Sequence, residues 1–293
     1  MPAFVSVEPA AICQLRCPEC PVGMRNTSPA ASRDAWKYMS PEIWERILRE
    51  VSPYVHTIQF FFQGEPLLNK HLARMVRDAH AQYLYTIVST NAQAMTRETA
   101  MELMSAGLSR IIVSIDGLSD ESYGAYRVGG SLQKSLQALQ WLREAKQACH
   151  SRCTIEMQCL KLRTNEHEWP EMRRRYRELG ADRLTLKTAQ LYDFEHGHPL
   201  MPSRASDSRY EQAADGTYHM KKRRRWGCFR LWSGAVITAS GEVLPCCYDK
   251  SGKYSFGNIT EHSLRSLFHN GKARQFRRQA LRFQPAICHN CWQ

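Results

Sequence analysis

The chain has 293 residues, enough for one large domain or a large and a small one, and no apolar run approaches the roughly 20 residues a membrane span needs. The N-terminus lacks the basic and long apolar parts of a signal peptide, so its eleven cysteines argue against a secreted disulfide framework and for a reducing, cytoplasmic setting with metal ligation. Forty basic against twenty-eight acidic residues give a net charge of +12, dense at 173–175 and 221–225; this suits anionic partners or a solvated basic surface, and no nucleic-acid module is recognisable.

Residues 4–9 read as a short strand leading into Cys13-Gln-Leu-Arg-Cys17-Pro-Glu-Cys20. Three thiols on one tight loop can face a single metal cluster. They are one short of the four that usually hold a 4Fe–4S cluster, so one iron would keep an open position. A zinc site or unrelated buried thiols also fit the spacing alone. Residues 22–38 read as a loop. Ser40-Pro41-Glu42 is a helix start, and Ile43, Ile47, Leu48 and Val51 follow at helical spacing. The β-rich run 57–62 ends in Gln63-Gly64-Glu65-Pro66, where glycine permits close backbone approach and Glu65 supplies an anionic acceptor.

The alternation continues with a helix at 71–82, a strand at 83–89 ending in Thr90-Asn91, a helix at 97–106 and a buried strand at 110–116. Ser114 and Asp116 share one face of that strand. A helix at 131–149, a strand at 153–162, a helix at 165–179 and a sixth strand at 183–187 complete the pattern, which predicts a parallel sheet. Cys149, Cys153 and Cys159 show no ligand spacing and read as ordinary buried thiols.

Residues 190–226 break the pattern and read as a linker and surface loop between a barrel at 1–189 and a small domain at 227–293. Tyr192 and Asp193 lie just past the sixth strand, where a substrate could be faced. In the last part, 235–238, a turn at 239–242 and 243–244 read as a β-hairpin, with helices at 264–268 and 273–281. The hairpin brings Cys228 and Cys246 together near its open end. Cys288-His-Asn-Cys291 adds two thiols, for a closed four-thiolate site that suits zinc or a 4Fe–4S cluster. Cys247 adjoins Cys246, and neighbours on an extended segment point opposite ways. One of the two ligates while the other faces the barrel mouth.

Cys13-x3-Cys17-x2-Cys20 after a short strand, with Gly64-Glu65-Pro66 one βα unit later, resembles the radical S-adenosylmethionine (radical SAM) enzymes, and the resemblance runs over nearly the whole chain. It implies an α/β fold: a partial (β/α)6 TIM-like barrel followed by a small C-terminal α+β domain of hairpin and helices. In that family the open iron binds S-adenosylmethionine. Cleavage then gives a 5′-deoxyadenosyl radical that abstracts a hydrogen atom. The resemblance implies that Gly64, Glu65 and Pro66 hold the methionine amino group, although Gln63 stands where the family has a first glycine. Asn91, Ser114, Asp116 and Arg127 would contact the ribose and carboxylate.

Cys228-x12-Gly241-x4-Cys246 followed by Cys288-x2-Cys291 resembles the auxiliary-cluster domain called SPASM, in its shortened "twitch" form. The full form carries further cysteines after the last pair. The chain printed above stops at Gln293, so the expectation is one auxiliary 4Fe–4S cluster on Cys228, Cys246, Cys288 and Cys291. In sulfatase-maturing relatives the position of Cys247 is an Asp proposed as a base. A thiol there could return a hydrogen atom.

The expected function is therefore hydrogen abstraction from a small polar, sugar-like or peptidic substrate. The outcome is oxidation, with Asp193, Tyr248 or Asp249 near the proton, or epimerisation with Cys247 as donor. The alternatives are peptide maturation, which has no stretch left over for a leader-binding domain, and RNA modification, which has only the charge in its favour. The intact Cys13, Cys17, Cys20, Gly64 and Glu65 set speaks against a non-catalytic iron–sulfur or zinc protein. An acidic donor such as flavodoxin or ferredoxin would supply electrons, and neither membrane nor nucleic acid is expected as a partner.

Overall fold

The computed structural model describes residues 1–26, 37–221 and 228–291. Most of the loop expected at 22–38, the basic run at 222–225 and the end of the expected linker therefore lie outside the described residues. Among those described, nine strands form one sheet, and β1 to β6 run parallel in sequence order. They are β1 (Phe4–Val7), β2 (Thr57–Phe60), β3 (Tyr85–Thr90), β4 (Arg110–Ser114), β5 (Thr154–Lys161) and β6 (Arg183–Thr188). Their apolar residues are buried beneath the crossover helices: Val5, Val7, Ile58, Phe60, Val88, Ile111, Val113 and Ile155 have no exposed surface. Each such side chain contributes about 1.5–3 kcal/mol over an exposed one. This is the α/β layout expected from the alternation.

The helices show why the connections fold as they do. The start of the loop expected at 22–38 is instead a short helix, α1 (Pro21–Asn26); α2 (Pro41–Val51) starts where Ser40 Oγ accepts from Ile43 N at 3.3 Å and Pro41 presets the first turn. It turns Ile43, Trp44, Ile47 and Val51 inward. α3 (Leu72–Ala81), α4 (Arg97–Ser105) and α6 (Leu132–Ala148) follow the expected spans within two residues. Sequence reading missed α5 (Asp120–Tyr126), which is capped by Ser119 and Ser122. The single helix expected at 165–179 is a 3-10 turn, Arg163–Glu168, followed by α7 (Trp169–Arg175). Pro170 cannot donate to a preceding turn, so the α-helix begins around it.

Two further differences position the site. First, the stretch from 190 is not a bare linker. Leu191, Leu200, Met201 and Tyr210 bury against Leu15 and Cys17 in a second apolar cluster, and β7 (Tyr210–Gln212) pairs with β8 (Tyr218–Met220). Second, the C-terminal hairpin joins the barrel's own sheet. The short α8 (Arg230–Ser233) feeds β9 (Gly234–Ile237), which lies parallel to β1 with Phe4 opposite Gly234 and Val7 opposite Ile237. β10 (Glu242–Leu244) and β11 (Gly257–Asn258) extend it antiparallel. Gly241, at φ 88°, takes the left-handed turn position that glycine tolerates best. α9 (Leu264–His269) and α10 (Gly271–Leu281) pack behind this extension. No described helix is long and apolar enough to cross a membrane.

Candidate active site

Everything the sequence nominates near the first cysteine set lies at the C-terminal ends of the parallel strands, where βα loops converge. The cysteine loop leaves β1 and is held by Arg16 N donating to Val128 O (2.9 Å) and Cys20 N donating to Cys17 O (3.2 Å). Leu15 is its buried anchor. Cys13, Cys17 and Cys20 line one cavity together with Gly64, Glu65 and Asn91. Burial, with smaller contributions from Glu65 and the other two thiols, pushes the Cys13 thiol up to about 12. Burial also raises Cys17, against the pull of Arg127.

Gly64 and Glu65 are fixed against that loop. A Cβ on Gly64 would sit 2.0 Å from Ala10 O and 2.7 Å from Ile12 O, so the approach admits no side chain. Glu65 N donates to Ile12 O at 2.8 Å. The Glu65 carboxylate is buried and accepts from Thr90 Oγ1 (2.6 Å), Asn91 N (2.8 Å) and Leu67 N (3.1 Å). Burial raises its pKa while those donors oppose the shift. Pro66 opens the short 3-10 helix Pro66–Leu68 behind it.

Asn91 reaches the thiols directly, with Nδ2 donating to Cys13 Sγ at 3.3 Å. Ser114 lines the same cavity from the end of β4. Asp116 is fully buried and does not line it. One carboxylate oxygen accepts from Leu160 N (2.6 Å) and the other from Arg127 Nε (2.6 Å). Burial alone would depress the Arg127 pKa; Asp116 and Cys17 overcome this and hold it above its ordinary value. Asp116 thus fixes Arg127, and Arg127 faces the cavity.

In the second set, Cys228 and Cys288 pack against the main core. Burial is the largest cause of the raised Cys246 pKa, followed by the adjoining Cys247 thiol and, more weakly, by Cys291. Cys247 also meets cations: Arg230 Nη1 lies 3.9 Å from its Sγ, and it acts on Lys187 and Lys250. Asp249 is spent on its own loop, accepting from Lys253 N (3.0 Å) and Tyr254 N (2.9 Å) with no exposed surface. Asp193 is exposed. Of the four groups nominated for proton or hydrogen handling, Cys247 meets Arg230 and Tyr248 accepts from Arg209, whereas Asp249 is held by its own loop and Asp193 is exposed. Cys153 and Cys159 are buried away from both sets, as expected, whereas Cys149 is only half-buried, beside Ser105.

Sequence reading missed the groups between the two sets. Gln63 Nε2 donates to Lys250 O at 2.8 Å, joining the Gly64 loop to the Cys246–Lys250 segment. Lys250 lines the cavity with its ammonium 4.6 Å from the Phe62 ring centroid. Arg209 donates to Thr188 O (2.9 Å) and to Tyr248 Oη (3.2 Å). Burial lowers the pKa of Lys187 and of Lys250, and Arg209 is the next largest influence on Lys187. Glu19 accepts from Tyr192 N (2.7 Å) and lies 3.2 Å from His198 Nε2, tying residues 192–198 over the cysteine loop. None of these carries a local motif; each is defined by partners distant in sequence.

The donor chemistry fits a cluster with a small amino-acid cofactor. Three soft thiols share a cavity wall with a glycine edge that a Cβ would fill. On the same wall Gln63 Oε1 is a buried acceptor with no hydrogen-bond partner among the described residues. Four further thiols in the C-terminal part suit a second, closed site.

The family model described as Radical SAM superfamily matches residues 7–168, and that of an iron-sulfur cluster-binding domain, SPASM, matches residues 228–292. The PqqA peptide cyclase of Bradyrhizobium diazoefficiens is 27% identical over 297 residues, covering 93% of this chain and 74% of the relative. Two solved structures share the fold. One is native anSMEcpe with bound AdoMet, with TM-score 0.71 and 16% identity over 99% of this chain and 86% of that one. The other is Streptococcus suis SuiB bound to precursor peptide SuiA, with TM-score 0.69 and 15% identity over 94% of this chain and 67% of that one.

Proposed function

Since the chain belongs to the radical SAM superfamily and carries a C-terminal iron–sulfur cluster-binding domain, we propose that it modifies a peptide, beginning with removal of a hydrogen atom from the substrate. Its cofactors are a 4Fe–4S cluster with S-adenosylmethionine and an auxiliary iron–sulfur cluster. The likeness to a peptide cyclase over 93% of the chain carries the peptide reading. It takes precedence over the sugar-like substrate expected from the sequence.

In this reading Cys13, Cys17 and Cys20 hold the first cluster, leaving one iron for S-adenosylmethionine. Gly64, Glu65 and Asn91 shape the wall beside it, Ser114 adds a hydroxyl, and Arg127, fixed by Asp116, supplies a permanent cation. Cys228, Cys246, Cys288 and Cys291 hold the auxiliary cluster, and Cys247 stays free. When bound, the first cluster and S-adenosylmethionine supply a hydrogen-abstracting radical, and the auxiliary cluster supplies an electron acceptor. Joining two side chains removes two hydrogens, one as an atom and one as a proton with its electron. An epimerisation would instead return a hydrogen atom, with Cys247 as its donor in this reading. An acidic flavodoxin or ferredoxin suits a chain of charge +12 as electron donor.

The test is mass spectrometry of short peptides encoded beside the gene, after incubation with reconstituted enzyme, S-adenosylmethionine and reductant. A cross-link lowers the mass by two hydrogens. An epimer keeps its mass in water and gains one deuterium in heavy water. Peptides returned unchanged while S-adenosylmethionine is cleaved would contradict the proposal.

A further inference from the structure

The exposed face of α10 is basic. Residues 262–291 hold Arg265, Lys272, Arg274, Arg277, Arg278 and Arg282 and no aspartate or glutamate. Arg274, Arg278 and Arg282 recur every four residues, so they form one stripe. With Gln275 and Gln279 they line an open groove of about 870 Å³. The stripe does nothing for the helix itself. Like charges four residues apart repel, and Lys272 and Arg274 stand toward the N-terminal end, where the helix dipole disfavours cations. Other exposed helix arginines are paired: Arg74 with Glu45, Arg97 with Glu144 and Arg175 with Glu171. Among the described residues, Lys272, Arg274, Arg278 and Arg282 have no carboxylate within ion-pair distance. The same field reaches His269, whose pKa is lowered by burial first and then by cations that include Arg277, Arg265 and Arg274. A positive surface so little shielded suits an anionic partner.

The opposite face of α10 is seated on the second cysteine set. Phe276 packs on Tyr254 with ring centroids 5.0 Å apart. Arg277 is buried and donates through Nε to Leu231 O (3.0 Å) and through Nη1 to Phe268 O (2.6 Å). Leu231 N in turn donates to Cys228 O at 3.2 Å. Just past α10, the 3-10 turn Ala286–Cys288 delivers Cys288. The basic helix therefore grips the Cys228 segment and runs on into the Cys288 segment. In the reading above, each turnover leaves an electron on the auxiliary cluster, and the next turnover needs that electron removed. A nucleic acid would suit the charge, but the groove presents no aromatic ring for bases to stack on, and Leu281, 47% exposed, adds the apolar contact of a protein interface.

We propose that the α10 groove is the docking surface of an acidic one-electron carrier protein, which takes an electron from the auxiliary cluster. The proposal rests on the auxiliary-cluster reading and adds where the carrier binds and which cluster it serves. One electron passes from cluster to carrier, the first oxidised and the second reduced, and no bond forms or breaks.

The test is calorimetry of the reconstituted full-length holoenzyme with an acidic flavodoxin, both oxidised, so that binding is read without turnover. Arg274→Glu with Arg278→Glu should weaken binding about tenfold or more at low salt, and the difference should shrink as salt screens the charges. Arg274→Gln with Arg278→Gln should weaken it less, in the same direction. Arg173→Glu with Arg174→Glu makes the same change of charge on α7, where both side chains are exposed, and should stay within about twofold of wild type. All three variants should retain full iron and dithionite-driven cleavage of S-adenosylmethionine. Oxidation of the prereduced holoenzyme by subsaturating flavodoxin, followed by stopped flow, should slow in step with the lost affinity. Unchanged affinity in the α10 Glu variant, or an equal loss in the α7 variant, would overturn the docking surface. Binding of a short single-stranded RNA that the α10 Glu variant loses, with flavodoxin binding intact, would overturn it in favour of nucleic acid. A holoenzyme with only about four irons that still shows the α10 effect would support the docking surface and count against the auxiliary-cluster reading.

Discussion

Single residues here divide into those that face the cavity and those that fix others. Glu65 does both, since its carboxylate ties Thr90, Asn91 and Leu67 beside the cysteine loop. Glu65→Ala should weaken S-adenosylmethionine binding by about 1.5–3 kcal/mol, the worth of a hydrogen bond to a charged group. Unchanged affinity by calorimetry would remove Glu65 from the binding wall. Asp116 touches no cavity surface yet holds Arg127. Asp116→Ala leaves that part-buried guanidinium without its carboxylate, so it should lower unfolding free energy in urea by about 2–4 kcal/mol. A loss under about 1 kcal/mol would mean that Arg127 finds water or another partner. The cysteines, Gly64 and Glu65 were legible in the sequence because the chemistry needs them at short, fixed spacing. Lys187, Arg209, Gln63 and Lys250 were not, because their meaning comes from partners 21 to 187 positions away.

At the scale of elements, the six parallel strands were legible because each is a short β-branched run bounded by a helix. The pairing of β9 with β1 left no local trace: it joins residues about 230 positions apart. So did the second apolar cluster, whose members at 191, 200, 201 and 210 show no regular period. Gly234 tests the pairing, because a Cβ there would sit 2.4 Å from Phe4 Cζ. Gly234→Val should overpack the β1–β9 contact and cost about 1–3 kcal/mol. It should also lower the thermal midpoint of the barrel, followed by far-ultraviolet dichroism. A variant as stable as wild type would show that β9 does not press on β1 as described.

At the scale of the whole molecule, barrel and C-terminal hairpin share a sheet, and Gln63 bonds across to Lys250. The first cysteine set and Lys250, from the segment that carries Cys246, therefore line one cavity, and in the proposed reading the two ligand sets stay separate. That separation is the central claim, and iron content with S-adenosylmethionine cleavage reads it directly. Anaerobically reconstituted wild type should hold about eight irons, four for each 4Fe–4S cluster. Changing Cys13, Cys17 and Cys20 together to Ala should leave about half the iron and no cleavage, whereas changing Cys246 and Cys291 should remove the other half and spare cleavage. A first variant that keeps all its iron, or a second that loses cleavage with its first cluster intact, would contradict the account.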